Sequence, residues 1–455
     1  MGAKFVNVDR NTPLLLPVDL REWIAEEDMV NFVIESIEGM ELKQVKINYR
    51  GCGSEQYPPK MMLSLLIYCY SNGVFGSRRI ETSTYRDIAV RYLTGVTHPD
   101  HDTIATFRRE NFDALAECFI KVLELAKEMK ILKMGTISTD GTKIRANASK
   151  NKNVTYDRSG ELIKQLEKEV RERIDRAEEE DKNDSDNGQQ LPEEIARRET
   201  LKEKLEQARL RIEERARKRA ENERKEYERK VRAREQRKGR TKGKIITETD
   251  ATPCGDEQEN LTDPDSRIMK KTKRSSYEQR YNAQAVVDAE GSQLIVGTRV
   301  SQCASDRNEL VANIKAIPKQ VGQPERVLGD NGFANGEDVA ELEEQGIDVY
   351  VSVGHEESHQ KRKYDFRPNN KQKKTGKSIK APWLIKMKKK METEQGKKIY
   401  SLRKQTVEPV FGIIKNVMGF RQFLLRGKDK VIGEWQLIAT AYNMKRLYNI
   451  KTAVA

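Results

Sequence analysis

Residues 160–240 consist almost entirely of Glu, Lys, Arg, Gln and Ala. These are strong helix formers, yet a segment so poor in large apolar side chains cannot enclose a core of its own. Ile163, Leu166, Val170, Ile174 and Ala177 recur at helical spacing, as do Leu201, Leu205, Ala208 and Ile212, and each set makes one thin apolar stripe. DKNDSDNGQQLP, at 181–192, separates the two. The pattern predicts an antiparallel helical hairpin, a long arm inserted between the parts of a domain that must find its core elsewhere. Beyond Ile212 even the thin stripe ends, so the second helix is expected to rest on i,i+4 ion pairs and on its partner helix.

The flanks differ from each other. The first 130 residues read as helical, with Leu20, Trp23, Ile24, Val30, Phe32, Val33 and Ile37 in one group and the buried run MMLSLLIYCYSNGVF after Pro58-Pro59. A further helix is expected from Tyr85 to Leu93. Ile104, Phe107, Phe112, Leu115, Phe119, Val122 and Leu125 then mark one helix or two. From Met134 the pattern turns to strands. MGTISTDGTKIRANAS alternates around Asp140-Gly141, a common turn pair, and predicts a hairpin with Asp140 at its bend. A second hairpin is expected around Asp288–Gly291. Then come a helix in DRNELVANIKAI, a strand at Arg326–Leu328, a helix over Asn335–Gln345 and a strand over Ile347–Val353. Strands and helices in this order predict a mixed α/β domain around one sheet.

The net charge of +13, with 35% charged residues, points to a polyanionic partner, nucleic acid before membrane. The segment 355–398 sharpens this, with fifteen Lys/Arg against five Asp/Glu, including KRK, KKTGK and KMKKK. Cys52, Cys69, Cys118, Cys254 and Cys303 are scattered and odd in number, which fits a reducing compartment and no zinc ribbon. His355 and His359 have the spacing of a metal pair but sit in a polar stretch, and read as solvated. No apolar run is long enough for a membrane span, and the N-terminus lacks a signal-peptide pattern.

In YSLRKQTVEPVFGIIK, residues 400–415, Val407, Val410, Phe411 and Ile414 form an apolar helical stripe, and Glu408 and Lys415 lie two turns apart. Pro409 fits if the helix starts close to Glu408. Asp140 at the first turn, Asp330 after the strand VL, and Glu408 then give three carboxylates from separate segments. Such a set can hold two divalent ions about 4 Å apart and act on phosphorus. With no Cys or His among them, the ligands suit Mg²⁺.

The chain resembles the bacterial insertion-sequence transposases of the DDE type. STDGTKIRANAS resembles the block of the first aspartate, Asp140, and VLGDNGFANGE that of the second, Asp330. Tyr400, Arg403, Glu408 and Lys415 resemble the Y-x2-R-x3-E-x6-K signature, with one extra residue that puts Lys404 at the usual distance from the glutamate. YPPKMMLSLLIYCYSNGVFGSRRIE through PDHDTIATFRR, DPDSRIM with YNAQAVVD, and WQLIATAYNMKRL also resemble one branch of these proteins. The resemblance implies an RNase H-like catalytic domain. It also implies catalysis and metal binding by Asp140, Asp330 and Glu408, through two Mg²⁺ ions, which Mn²⁺ can replace. DNA contacts would come from Tyr400, Arg403, Lys404 and Lys415, and from Arg108 and Arg109 of the helical region.

The organisation expected is therefore a helical DNA-binding or dimerisation domain at 1–130 and a catalytic domain at 131–159, 246–354 and 399–455. The helical hairpin is inserted at 160–245 and the basic segment at 355–398. The implied partners are double-stranded DNA, both terminal inverted repeats and target, and a second copy in a homodimer or larger synaptic assembly. The implied location is cytoplasmic, at the bacterial nucleoid. A metal-dependent nuclease without strand transfer and a non-catalytic DNA-binding relative are the alternatives.

Overall fold

The computed structural model describes residues 19–47, 55–182, 190–235, 251–270, 275–353 and 381–454. His355, His359, Cys52 and most of the basic segment 355–398 lie outside the described residues.

Among the described residues, six helices follow a 3-10 turn at Leu20–Trp23: α1 (Met29–Glu38), α2 (Pro59–Ser71), α3 (Ser77–Arg86), α4 (Ile88–Leu93), α5 (His101–Glu110) and α6 (Phe112–Glu128). Local chemistry fixes their starts. Asp28, Asp87 and Asp100 each accept a backbone N–H of the first turn, and Pro59 opens α2. The single helix expected from Tyr85 to Leu93 divides at Asp87, whose carboxylate caps Val90 N at 3.1 Å.

One six-stranded sheet comes next. Its long central members are β1 (Thr136–Arg145) and β5 (Tyr277–Asp288), antiparallel from Ile137 opposite Asp288 to Arg145 opposite Arg280. On the outer side of β5, β4 (Arg267–Lys270) and β6 (Ile295–Ser301) pair with successive parts of its length. On the other side of β1, β7 (Arg326–Gly329) and β8 (Asp348–Val351) run parallel to it. This is the sheet of an RNase H-like fold. α9 (Leu310–Lys315) and α10 (Gly336–Glu344) connect the strands, and α11 (Pro382–Glu392), α12 (Glu394–Gly412) and α13 (Lys428–Val454) close the chain.

α13 ties the helical region to the sheet. Trp435, fully buried, donates Nε1 to Gln284 O at 2.9 Å, Asn443 pairs with both backbone groups of Ile295, and Ser71 Oγ reaches Ala441 O at 2.9 Å. The apolar side chains of α1, α2, α6, the sheet and α13 form one continuous core. Among the described residues no helix is long and apolar enough to cross a membrane.

The charged stretch is a helical hairpin, α7 (Tyr156–Lys182) and α8 (Gln190–Glu235), rooted in a two-stranded ribbon of β2 (Asn153–Thr155) and β3 (Gln258–Asn260). Val154, Leu166, Leu205 and Ala208 make its small core. Where the stripe of α8 ends, ion pairs to the ribbon and, further out, to α10 take over. Arg211 and Arg215 reach the buried Glu259 at 2.6 and 2.8 Å, and Arg229 reaches Glu337 at 2.9 Å.

Two sequence expectations are corrected. Asp140 is not at a hairpin bend: both halves of the expected hairpin belong to the single strand β1 and pair with β5, far away in sequence. Gly141 does not have the positive φ that a two-residue turn demands. Nor does a helix start at Glu408. α12 begins at Glu394 and carries Pro409 near its end, just before a π-helical turn at Ile413–Val417. Proline at 409 leaves the carbonyl of Gln405 without its helical donor; Gln293 Nε2 supplies one at 2.7 Å. In the described part of the basic segment, Lys386 pairs with Glu343 and Lys390 with Asp348, so these cations brace α11 against α10 and β8.

Candidate active site

Parallel pairing brings the two aspartates together. Ser138 on β1 lies opposite Leu328 on β7, so two residues further along each chain Asp140 and Asp330 leave neighbouring strands on the same side. The backbone of Asp330 is still extended (φ −79°, ψ −179°), and its Oδ1 caps the following 3-10 turn by accepting Gly332 N at 2.7 Å. Asp140 Oδ1 accepts Gly141 N at 2.8 Å. Burial first, and then the charge of Asp330, push the Asp140 carboxyl up to about 7, against the pull of Gly141 N–H and Arg403.

α12 lies across this edge. Its Arg403 is buried and bridges two acids, with Nη1 3.9 Å from Asp140 Oδ2 and Nη2 3.6 Å from Glu408 Oε1. Glu408, on the outer face of the helix, is more than half exposed. Tyr400 donates its hydroxyl to Gly329 O at 3.3 Å, next to Asp330, and its ring lies 5.9 Å from the Arg403 guanidinium. Lys415 bonds to Thr142 Oγ1, two residues beyond Asp140 on the same strand. Lys404 is exposed, so Arg403 is the cation buried between the carboxylates.

In the helical region the two expected arginines part company. Arg108 is buried, donating to Tyr70 OH at 2.6 Å and Phe75 O at 3.1 Å, so it joins α5 to α2 rather than facing a ligand. Arg109 is exposed beside it.

A fourth carboxylate also reaches the site. Asp306 Oδ1 accepts the side-chain amides of Asn282 and Gln284, both at 2.7 Å, and its charge adds to the upward push on Asp140. Gly141 makes room for this cluster, since a Cβ there would come within 2.6 Å of Asp306 Oδ1 and closer still to the Gln284 amide. DRNEL reads as a helix start, and nothing in that pattern reveals that its aspartate meets β1.

Among the described residues, no three His, Cys, Asp or Glu side chains converge closely enough to hold an ion, and Glu408 pairs with Arg403. The donor chemistry nevertheless fits a hard divalent cation. The ligands are carboxylate oxygens, and two of them repel each other at a buried edge, a strain that a divalent charge would relieve.

Residues 243–444 match the family profile described as a transposase DDE domain, and residues 18–110 match that of a transposase domain, DUF772. The first match takes in Asp330 and Glu408, and Asp140 lies ahead of it. No curated protein and no solved structure matches the chain.

Proposed function

The chain belongs to the DDE transposases, and on that premise we propose that it cuts the ends of an insertion sequence and joins them to target DNA. Asp140, Asp330 and Glu408 are its acids. The observation that supports this best is the in-register placing of Asp140 and Asp330, with Arg403 linking Asp140 to Glu408.

With Glu408 drawn in from its ion pair with Arg403, the oxygens of these three residues would hold Mg²⁺ or Mn²⁺, as a pair of ions. Bound there, the metal would activate the attacking oxygen and stabilise the leaving one. Arg403 bridges Asp140 and Glu408, and Tyr400 fixes the backbone just ahead of Asp330. Lys415, Lys404 and Arg109 supply positive charge to DNA phosphates.

Water attacks the phosphodiester at the element end. The P–O3′ bond breaks, the phosphate stays on the flanking DNA, and the element strand leaves with a free 3′-hydroxyl. That hydroxyl attacks a target phosphodiester and exchanges one P–O bond for another. Both ends must be cut together, so the working unit is a homodimer or larger assembly on DNA.

The test is cleavage and joining of the element's end DNA by wild type and Asp330→Asn, with and without Mg²⁺, read on one gel. Metal-dependent cleavage with joining, lost in the variant, is expected. Cleavage without joining would leave a nuclease, and binding without any cleavage would leave a DNA-binding relative.

A further inference from the structure

Beside the carboxylates a groove of about 490 Å³ opens, lined by Lys143, Arg145, Arg280, Lys415 and Arg421, with Glu278 as its acid. β1 leads towards it from the site: Arg145 follows Asp140 by five residues, about 17 Å of strand at roughly 3.3 Å per residue. The odd step turns Lys143 and Arg145 to the other face, so the path runs over the edge of β1 that β7 leaves uncovered beyond Ser138. Lys415 stands at the junction through its bond to Thr142.

The sheet itself is charged here. Arg145 lies directly opposite Arg280 on β5, and Arg280 directly opposite Arg267 on β4, so three arginines line up across three strands. Like charges placed opposite one another destabilise a sheet. Glu278 pairs with Arg280, but neither Lys143 nor Arg145 has a carboxylate partner among the described residues. Arg421 is exposed and is held over the groove by bonds to Lys415 O and Asn416 Oδ1. A row of cations that extends along a strand matches a chain of phosphates better than a single anion. Among the described residues Phe411 is the one aromatic in the lining, so the groove suits backbone rather than stacked bases.

We propose that this groove holds the sugar-phosphate backbone of the DNA strand whose phosphodiester lies at Asp140 and Asp330, with Lys143, Arg145 and Arg421 binding its phosphates and the buried Arg280, paired with Glu278, adding positive charge to its floor. The inference rests on the DNA-cutting function above and adds the path of the strand leaving the site.

The experiment measures affinity of the full-length protein for a short labelled duplex as a function of NaCl, by fluorescence anisotropy. Lys143→Gln combined with Arg145→Gln should flatten the slope of log K against log salt by about two, one for each phosphate no longer neutralised. Gly412→Glu is the second variant. A Cβ at this position in the groove wall meets nothing within 4 Å, so the new carboxylate enters the groove without disturbing the helix. It should weaken binding at unchanged Tm. Wild-type slope and affinity in both variants would overturn the assignment while leaving the catalytic reading intact. A wild-type protein without salt-dependent DNA affinity would remove the DNA function, and the groove with it.

Discussion

Asp330 is, after burial itself, the strongest influence holding the Asp140 carboxyl near 7 rather than at its ordinary 3.8. A group raised in this way binds its proton more tightly folded than unfolded. Its contribution to stability is full below the unfolded value and is lost as pH rises through the folded one. Metal-free protein should therefore lose stability between about pH 4 and 7. The buried Glu434, also pushed up to about 7, acts in the same direction. Asp140→Asn should reduce that loss and raise Tm at alkaline pH by about 2–4 °C, the shift that ~1 kcal/mol gives a domain of this size. Added Mg²⁺ should raise the wild-type Tm and leave the variant's unchanged. Calorimetry across the pH range checks both, and a flat wild-type profile would dismiss the coupling.

Glu408 is exposed and touches the body through Arg403, so it can be lost without cost to the fold. Glu408→Gln should keep Tm and DNA affinity. Cleavage should fall by more than the roughly 100-fold that follows loss of an outer partner of a metal ligand. Cleavage at the wild-type rate in ordinary Mg²⁺ would take Glu408 out of the site.

Pro409 is tolerated inside α12 because Gln293 caps the carbonyl it leaves bare. Gln293→Ala should cost about 1 kcal/mol, the usual worth of such a bond. Gln293 also has a left-handed backbone, with φ of 57°. Gln293→Gly should accordingly lose the bond but recover part of the stability. Denaturant titration of the two variants separates cap from strain, and equal wild-type midpoints would show that the cap contributes nothing.

The carboxylate of Glu259 is buried between Arg211 and Arg215 at the root of the arm. Glu259→Gln leaves two guanidinium groups facing each other. The cost should be about 1–3 kcal/mol, less than for a fully buried pair because both arginines are partly exposed. Hydrogen exchange should quicken in β2, β3 and the middle of α8 and stay unchanged in β1. Unchanged exchange at the root would show that the small apolar core alone holds the arm.

Local patterns determined much of this protein. The helix-forming composition of 160–240 gave the arm, and the alternation in YNAQAVVD and around Leu294–Val300 gave β5 and β6. Asp140, Asp330 and Glu408 stand out as candidate acids in the motifs around them, since periodicity and short motifs act over a few residues. What joins distant segments was not legible. Asp140-Gly141 has the composition of a turn, and only pairing with β5 makes it mid-strand. Pro409 reads as a helix start, and only Gln293, more than a hundred residues earlier, makes it an interior residue. Arg108 and Arg109 are alike in sequence, yet packing against Tyr70 buries one and leaves the other in solvent. The arginine row across β1, β5 and β4 exists only once the register is set. Hydrogen-bond partners, burial and charge neighbours are properties of which strands and helices meet, and that was decided by the tertiary structure alone.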